Sequence, residues 1–174
     1  MSPRGKSARS EIIRVLLDAL EQAYRKPAWH GTNLRGSLRG LKPQQALWRP
    51  GRGRHNIWEE TLHAAYWKYA VRQRLAGGKR GAFPLKGSNW FPSPSCILGP
   101  SAKKQWKHAV TILDQEHKAL CAAVAECPAA RLNRPVLRSR WSVLDSILGT
   151  AFHDVYHAGQ IQLLKRLEKA ASGK

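Results

Sequence analysis

The residues of this sequence whose type and spacing could do chemistry are its seven histidines: His30, His55, His63, His108, His117, His153 and His157. His153 and His157 stand four apart in a stretch, 143–164, whose only charged residues are Asp145 and Asp154. On a helix such a pair shares one face, with Cβ atoms about 5–6 Å apart. Two imidazoles on one tetrahedral metal ion need nitrogens about 3.4 Å apart, given bonds of about 2.1 Å. The spacing suits that geometry. A buried imidazole must also satisfy two ring nitrogens or lose about 1–3 kcal/mol, and Tyr156 and Gln160 lie beside the pair. His63 sits in the mostly apolar run Thr61-Leu62-His63-Ala64-Ala65-Tyr66-Trp67. From spacing alone, each histidine is either a metal ligand or a satisfied core or surface residue.

Three neutral imidazoles would leave a divalent ion its full charge and some open coordination positions, as catalytic sites do. Bound water could then ionise near neutral pH, or an incoming thiol could lose its proton. Both routes suit a hydrolase or an S-transferase. Glu59 and Glu60, about one turn before His63, either reach the metal shell or simply sit where the helix dipole favours acids. Asp154 is either a partner of a ligand histidine or paired elsewhere. His117 shares an apolar stripe with Leu113, Leu120 and Val124, as a fourth ligand, a substrate contact or a core histidine. His30 and His55 could line a pocket mouth. Tyr66, Trp67, Trp90 and Phe91 either wall that pocket or fill the core.

Helices must position these groups. Apolar residues recur at helical spacing over 11–25, with Ser10 as a candidate cap and Pro27 as the stop. A shorter helical piece carries Leu34, Leu38 and Leu41, and Leu47-Trp48-Arg49-Pro50-Gly51 reads as loop. Residues 56–76 form a helix, with Asn56 as cap, Glu59 completing a capping box and Gly77 as the stop. A Gly- and Pro-rich segment, 78–100, follows. Its Phe83, Trp90 and Phe91 favour a packed loop, a candidate lid, over a linker. Helices over 101–127 and from Ser142 to about residue 171 complete the chain. The last is apolar nearly all round and is expected in the middle of the bundle. The reading is one all-α domain over residues 1–174.

Bulk composition bounds the rest. An apolar share of 43% supports a sizeable core, and no run approaches the roughly 18 apolar residues of a membrane span. The N-terminus lacks the apolar run of a secretory signal, so a cytoplasmic location without a membrane partner is expected. Three cysteines, Cys96, Cys121 and Cys127, show no Cys-x-x-Cys spacing and read as small buried apolar residues. Thirty Lys and Arg against eleven Asp and Glu give +19. Such a field attracts nucleic acid or small anions. The basic residues are scattered, without a helix-turn-helix, zinc-finger or RNA-binding signature.

Several segments together resemble the DinB (damage-inducible) superfamily of metal-binding four-helix bundles: Ala28-Trp29-His30-Gly31, Leu47-Trp48-Arg49-Pro50, His55-Asn56-Ile57-Trp58-Glu59, Leu62-His63-Ala64-Ala65-Tyr66-Trp67, and His153-Asp154-Val155-Tyr156-His157-Ala158-Gly159-Gln160-Ile161. The resemblance implies an up-up-down-down bundle with a long crossover. It also implies a divalent metal ion on His63, His153 and His157, with Gln160 following in the family pattern. A nitrogen-rich donor set suits zinc or nickel first, with copper, iron or manganese as alternatives. Members with known roles include thiol-dependent transferases and isomerases that use bacillithiol or mycothiol. The expected function is therefore a metal-dependent hydrolase or thiol-dependent S-transferase acting on a small, anionic or thiol-bearing substrate, as a monomer or homodimer. The alternative is a basic protein binding nucleic acid or another anion, with a structural or vestigial metal.

Overall fold

In the computed structural model, which describes residues 3–78, 81–94, 100–136 and 139–173, the chain forms six helices: α1 (Pro3–Tyr24), α2 (Leu34–Ser37), α3 (Pro43–Leu47), α4 (Ile57–Leu75), α5 (Pro100–Ala125) and α6 (Val143–Ala171). Side chains are described from residue 11 in α1 and from residue 101 in α5. Among the described residues there is no strand, and none of the helices is long and apolar enough to cross a membrane. Four long helices make the bundle.

Local chemistry sets the boundaries. The Asn56 side chain accepts a hydrogen bond from Glu59 N at 3.0 Å, and the Glu59 carboxylate turns back to the Asn56 N–H. Ser142 and Asp145 cap α6 in the same reciprocal way. The start of α1 departs from expectation. The helix runs through Ser10 back to Pro3, because proline is tolerated in a first turn and the intervening Lys, Ala and Arg favour helix.

The core divides into two ends. One gathers Tyr24 of α1, Ile57, Trp58 and Leu62 of α4, Ala102 and Trp106 of α5, and Ala158, Ile161 and Leu164 of α6. The other gathers Leu16 and Leu20, Val71 and Leu75, Leu120 and Val124, and Val143 and Ile147. The C-termini of α1 and α6 therefore share an end with the N-termini of α4 and α5. The bundle is all-α, as expected, but its helices run up-down-down-up where the resemblance implied up-up-down-down. The long return that makes two sequential helices parallel is segment 76–99. It must travel the length of α4, about 28 Å for 19 residues. The connection from α1 to α4 stays at one end and is taken up by α2 and α3.

Burial also differs from the sequence expectation. α6 keeps an outward face with Phe152, Tyr156, Leu163 and Leu167 exposed. The most enclosed described stretch is instead 56–65, the cap and first half of α4, where every residue is buried. Any helix of a four-helix bundle has a side turned outward. On α4 that side is covered by α3 and by the described part of the 78–100 loop, whose Phe83, Leu85 and Phe91 pack on the core cluster that includes Ala65.

Between the two apolar ends lies an ion pair with no solvent exposure, Lys68 on α4 with Asp154 on α6. Lys68 Nζ also stands 4.9 Å from the centroid of the Tyr24 ring. Removing one partner leaves a buried charge alone. Asp154→Ala should therefore cost about 3–5 kcal/mol in urea unfolding. The paired change Lys68→Met with Asp154→Leu should recover most of that loss. A single-variant cost under about 1 kcal/mol would contradict the pairing's structural role.

Candidate metal centre

The opposed directions of α4 and α6 bring His63 against the turn that carries His153 and His157. Three Nε2 atoms converge: His153 to His63 at 3.2 Å, and His157 to His153 at 3.0 Å. These separations approach the roughly 3.4 Å expected between two nitrogens on one tetrahedral ion. The far side of two rings fixes which nitrogen is available. His63 Nδ1–H donates to the backbone carbonyl of Asn89 at 3.0 Å, which leaves a lone pair on Nε2. His157 Nδ1 is in contact with Glu60 Oε2, and among the described residues neither atom has another polar partner. A carboxylate there keeps a proton on Nδ1 and turns Nε2 inward.

Burial holds the His63 and His153 rings neutral. It lowers His63 to about 4 and His153 to about 3, from an ordinary 6.5, with neighbouring imidazoles adding to the shift at His153. His153 Nδ1 is buried without a hydrogen bond among the described residues. Neutral imidazoles that aim lone pairs at one another repel unless a proton or a cation lies between them. A divalent ion satisfies all three at once, so the donor set fits a metal.

The loop beyond α4 closes the His63 side. Asn89 adopts φ 63°, a left-handed conformation that asparagine tolerates better than most residues. From there its carbonyl meets His63 while its Oδ1 accepts from Trp67 Nε1 at 3.0 Å. Trp90 is sandwiched between His63 and His55, with ring centroids 3.8 and 3.6 Å away. Ser93 pins the loop further, through its N–H to Glu59 and its Oγ to Asn56.

The family model of the DinB superfamily matches residues 28–161, more than three quarters of the chain. The chain belongs to the DinB superfamily. No curated protein and no solved structure matches it significantly.

Within this DinB bundle the other candidate residues divide. Glu59 lies apart from the three imidazoles. Burial pushes it up, but hydrogen bonds from Arg49, Ser93 and His55 outweigh that and hold it at about 2, an ionised clamp for the loop. Glu60, the next residue, is the one that reaches a histidine of the cluster. Asp154 does not partner one, because Lys68 takes it. Gln160 donates to Tyr156 Oη at 3.2 Å on its own helix. His117 does not join the three imidazoles: it stacks on Tyr24 at 3.8 Å, with Nε2 toward Glu21 of α1. Tyr66 and Phe91 belong to an aromatic core cluster with Phe83. Trp67 and His153 border a largely apolar cleft of about 400 Å³ that also has Arg74, Trp141 and Phe152 in its wall. His30 is exposed and lines a separate cleft with Phe152. Cys121 and Cys127 are free thiols, and Cys96 lies outside the described residues.

Sequence reasoning missed Asn89 and Lys68. The Gly-Ser-Asn turn before Trp90 hints at a left-handed asparagine, but nothing local ties it to a histidine 26 residues earlier. The buried lysine had no local signal.

The lowered histidine pKa values carry a pH dependence with a definite sign. The unfolded chain takes up protons near pH 6.5, which folded His63, His153 and His117 refuse until about pH 4 or below. The metal-free protein should keep full stability above about pH 6.5 and lose it progressively as the pH falls toward 4. Urea midpoints measured across that range test this; a flat profile would contradict buried, neutral imidazoles.

Proposed function

We propose that this DinB protein is a metalloenzyme whose His63, His153 and His157 hold one divalent ion, zinc or nickel in preference to copper, iron or manganese. The observation that carries the reading is the meeting of three Nε2 atoms at 3.0 and 3.2 Å, with two of the rings oriented from behind. When bound by three neutral nitrogens, such an ion supplies Lewis acidity that lowers the pKa of water or of a thiol. That chemistry supports a hydrolase or a thiol-dependent S-transferase.

The chain's own residues supply positioning. Asn89 and Glu60 fix the tautomers and angles of two ligands. Trp90 covers one face of the His63 ring and limits water there. Beside His153, the apolar cleft offers flat contact surfaces from Trp67 and Phe152, and Arg74 adds a positive charge 5.6 Å from the Trp67 ring. A small substrate with an apolar body and an acidic group, or a thiol cofactor of that kind, matches this lining.

Elemental analysis of the purified chain tests the metal reading. The wild type should carry an ion that His153→Ala loses, and Glu60→Ala should weaken binding by about 10–100-fold, as loss of a ligand's orienting partner does. Undiminished metal in His153→Ala would overturn the assignment. The reaction class is then read from turnover with and without added low-molecular-weight thiol: dependence on the thiol favours the transferase, and thiol-independent cleavage favours the hydrolase.

A further inference from the structure

A second convergence of metal-ligating atoms lies between α1 and α5. Glu21 Oε1 stands 3.3 Å from His117 Nε2, and Cys121 Sγ stands 3.5 Å from the same nitrogen. All three donor atoms fall within 4.8 Å of one another. For a tetrahedral zinc ion with Zn–S of about 2.3 Å and Zn–N and Zn–O of about 2.0–2.1 Å, the expected separations are about 3.3 Å between nitrogen and oxygen and about 3.6 Å between nitrogen and sulfur. The observed pair of distances matches both. We propose that Glu21, His117 and Cys121 form a second cation site that takes a thiophilic divalent ion such as zinc.

Several features of the surroundings suit that role. His117 is 1% exposed and stacks on Tyr24, so its Nε2 is held in one direction. Arg25 grips both oxygens of Glu21, at 2.7 and 2.9 Å, and sets the angle of the carboxylate. A carboxylate oxygen has two lone-pair sites, so Oε1 can accept from Arg25 and still face an ion. The nearby charge of Lys68 is taken up by Asp154. Hydrogen bonding alone explains the cluster poorly. Nε2 faces a carboxylate and a thiol together, and a neutral ring nitrogen can serve one of them as donor or the other as acceptor but not both at once.

The two sites differ in softness. A thiolate with one imidazole and one carboxylate selects thiophilic ions, whereas three imidazoles accept a wider range. The site shares no residue with the three-histidine cluster, so it does not depend on that reading. An ion here would tie α1 to α5.

Titration of Co²⁺ alone into the metal-free full-length protein tests the site. A sulfur-to-cobalt charge-transfer band should appear in the near ultraviolet. It should persist in His153→Ala and in the double variant Cys96→Ser with Cys127→Ser. It should vanish in Cys121→Ser and in Cys121→Ala, and fade in Glu21→Gln, with helical content by circular dichroism unchanged. No band in the wild type, or a band that survives both Cys121 variants, would overturn the proposal. Total cobalt unaffected by His153→Ala would instead count against the three-histidine centre and leave this site standing.

Discussion

Three imidazole nitrogens directed at one point repel unless a proton or a cation lies between them, and the packing of α4 on α6 brings them to that point. Two of the rings come from one turn of α6, so their spacing is local. The third arrives from α4 only because α4 and α6 are antiparallel and pack closely. Each held ring is then locked from behind by a different device: a backbone carbonyl at Asn89 for His63, and a carboxylate at Glu60 for His157. Fixing the outer nitrogen decides the tautomer, and the tautomer decides that the inner nitrogen can bind a cation.

The same constraint explains why the loop after α4 is packed and not merely exposed. Asn89 needs a left-handed backbone to reach His63, and that position is supported by Trp67 on one side and by Ser93 and Glu59 on the other. Trp90 then fills the space between His63 and His55. The clamp at Glu59 is electrostatically secure, since a carboxyl held at about 2 stays ionised throughout the physiological range. The polar layer continues inward through Lys68 and Asp154, which separate the two apolar ends of the core. Burial of that pair ties α4 to α6 at the level of the histidines.

Much of this was legible in the sequence, and for identifiable reasons. The caps at Asn56 and Ser142 are encoded within four residues, so the starts of α4 and α6 followed from local chemistry. The histidine set followed from the family resemblance, with the spacing of His153 and His157 alone leaving a core role open. Helix direction did not follow, because it depends on where the 76–99 connection travels, and no local pattern records that path. Choosing among Glu59, Glu60 and Asp154 also failed locally. All three are near the histidines in sequence, but Arg49 claims the first and Lys68 the last, and both partners lie outside the local helical turn. The exposed face of α6 was hidden by the same limit: hydrophobicity all round a helix does not say which side lacks a neighbour.

The central claim is that one cation sits among His63, His153 and His157. Crystals of the purified protein, with anomalous diffraction collected at the absorption edge of the metal found in it, test that most directly. The account predicts an anomalous peak about 2.0–2.1 Å from the Nε2 atoms of all three histidines. A metal-bearing crystal with no peak at that point, or with the three rings turned so that Nδ1 faces inward, would contradict it.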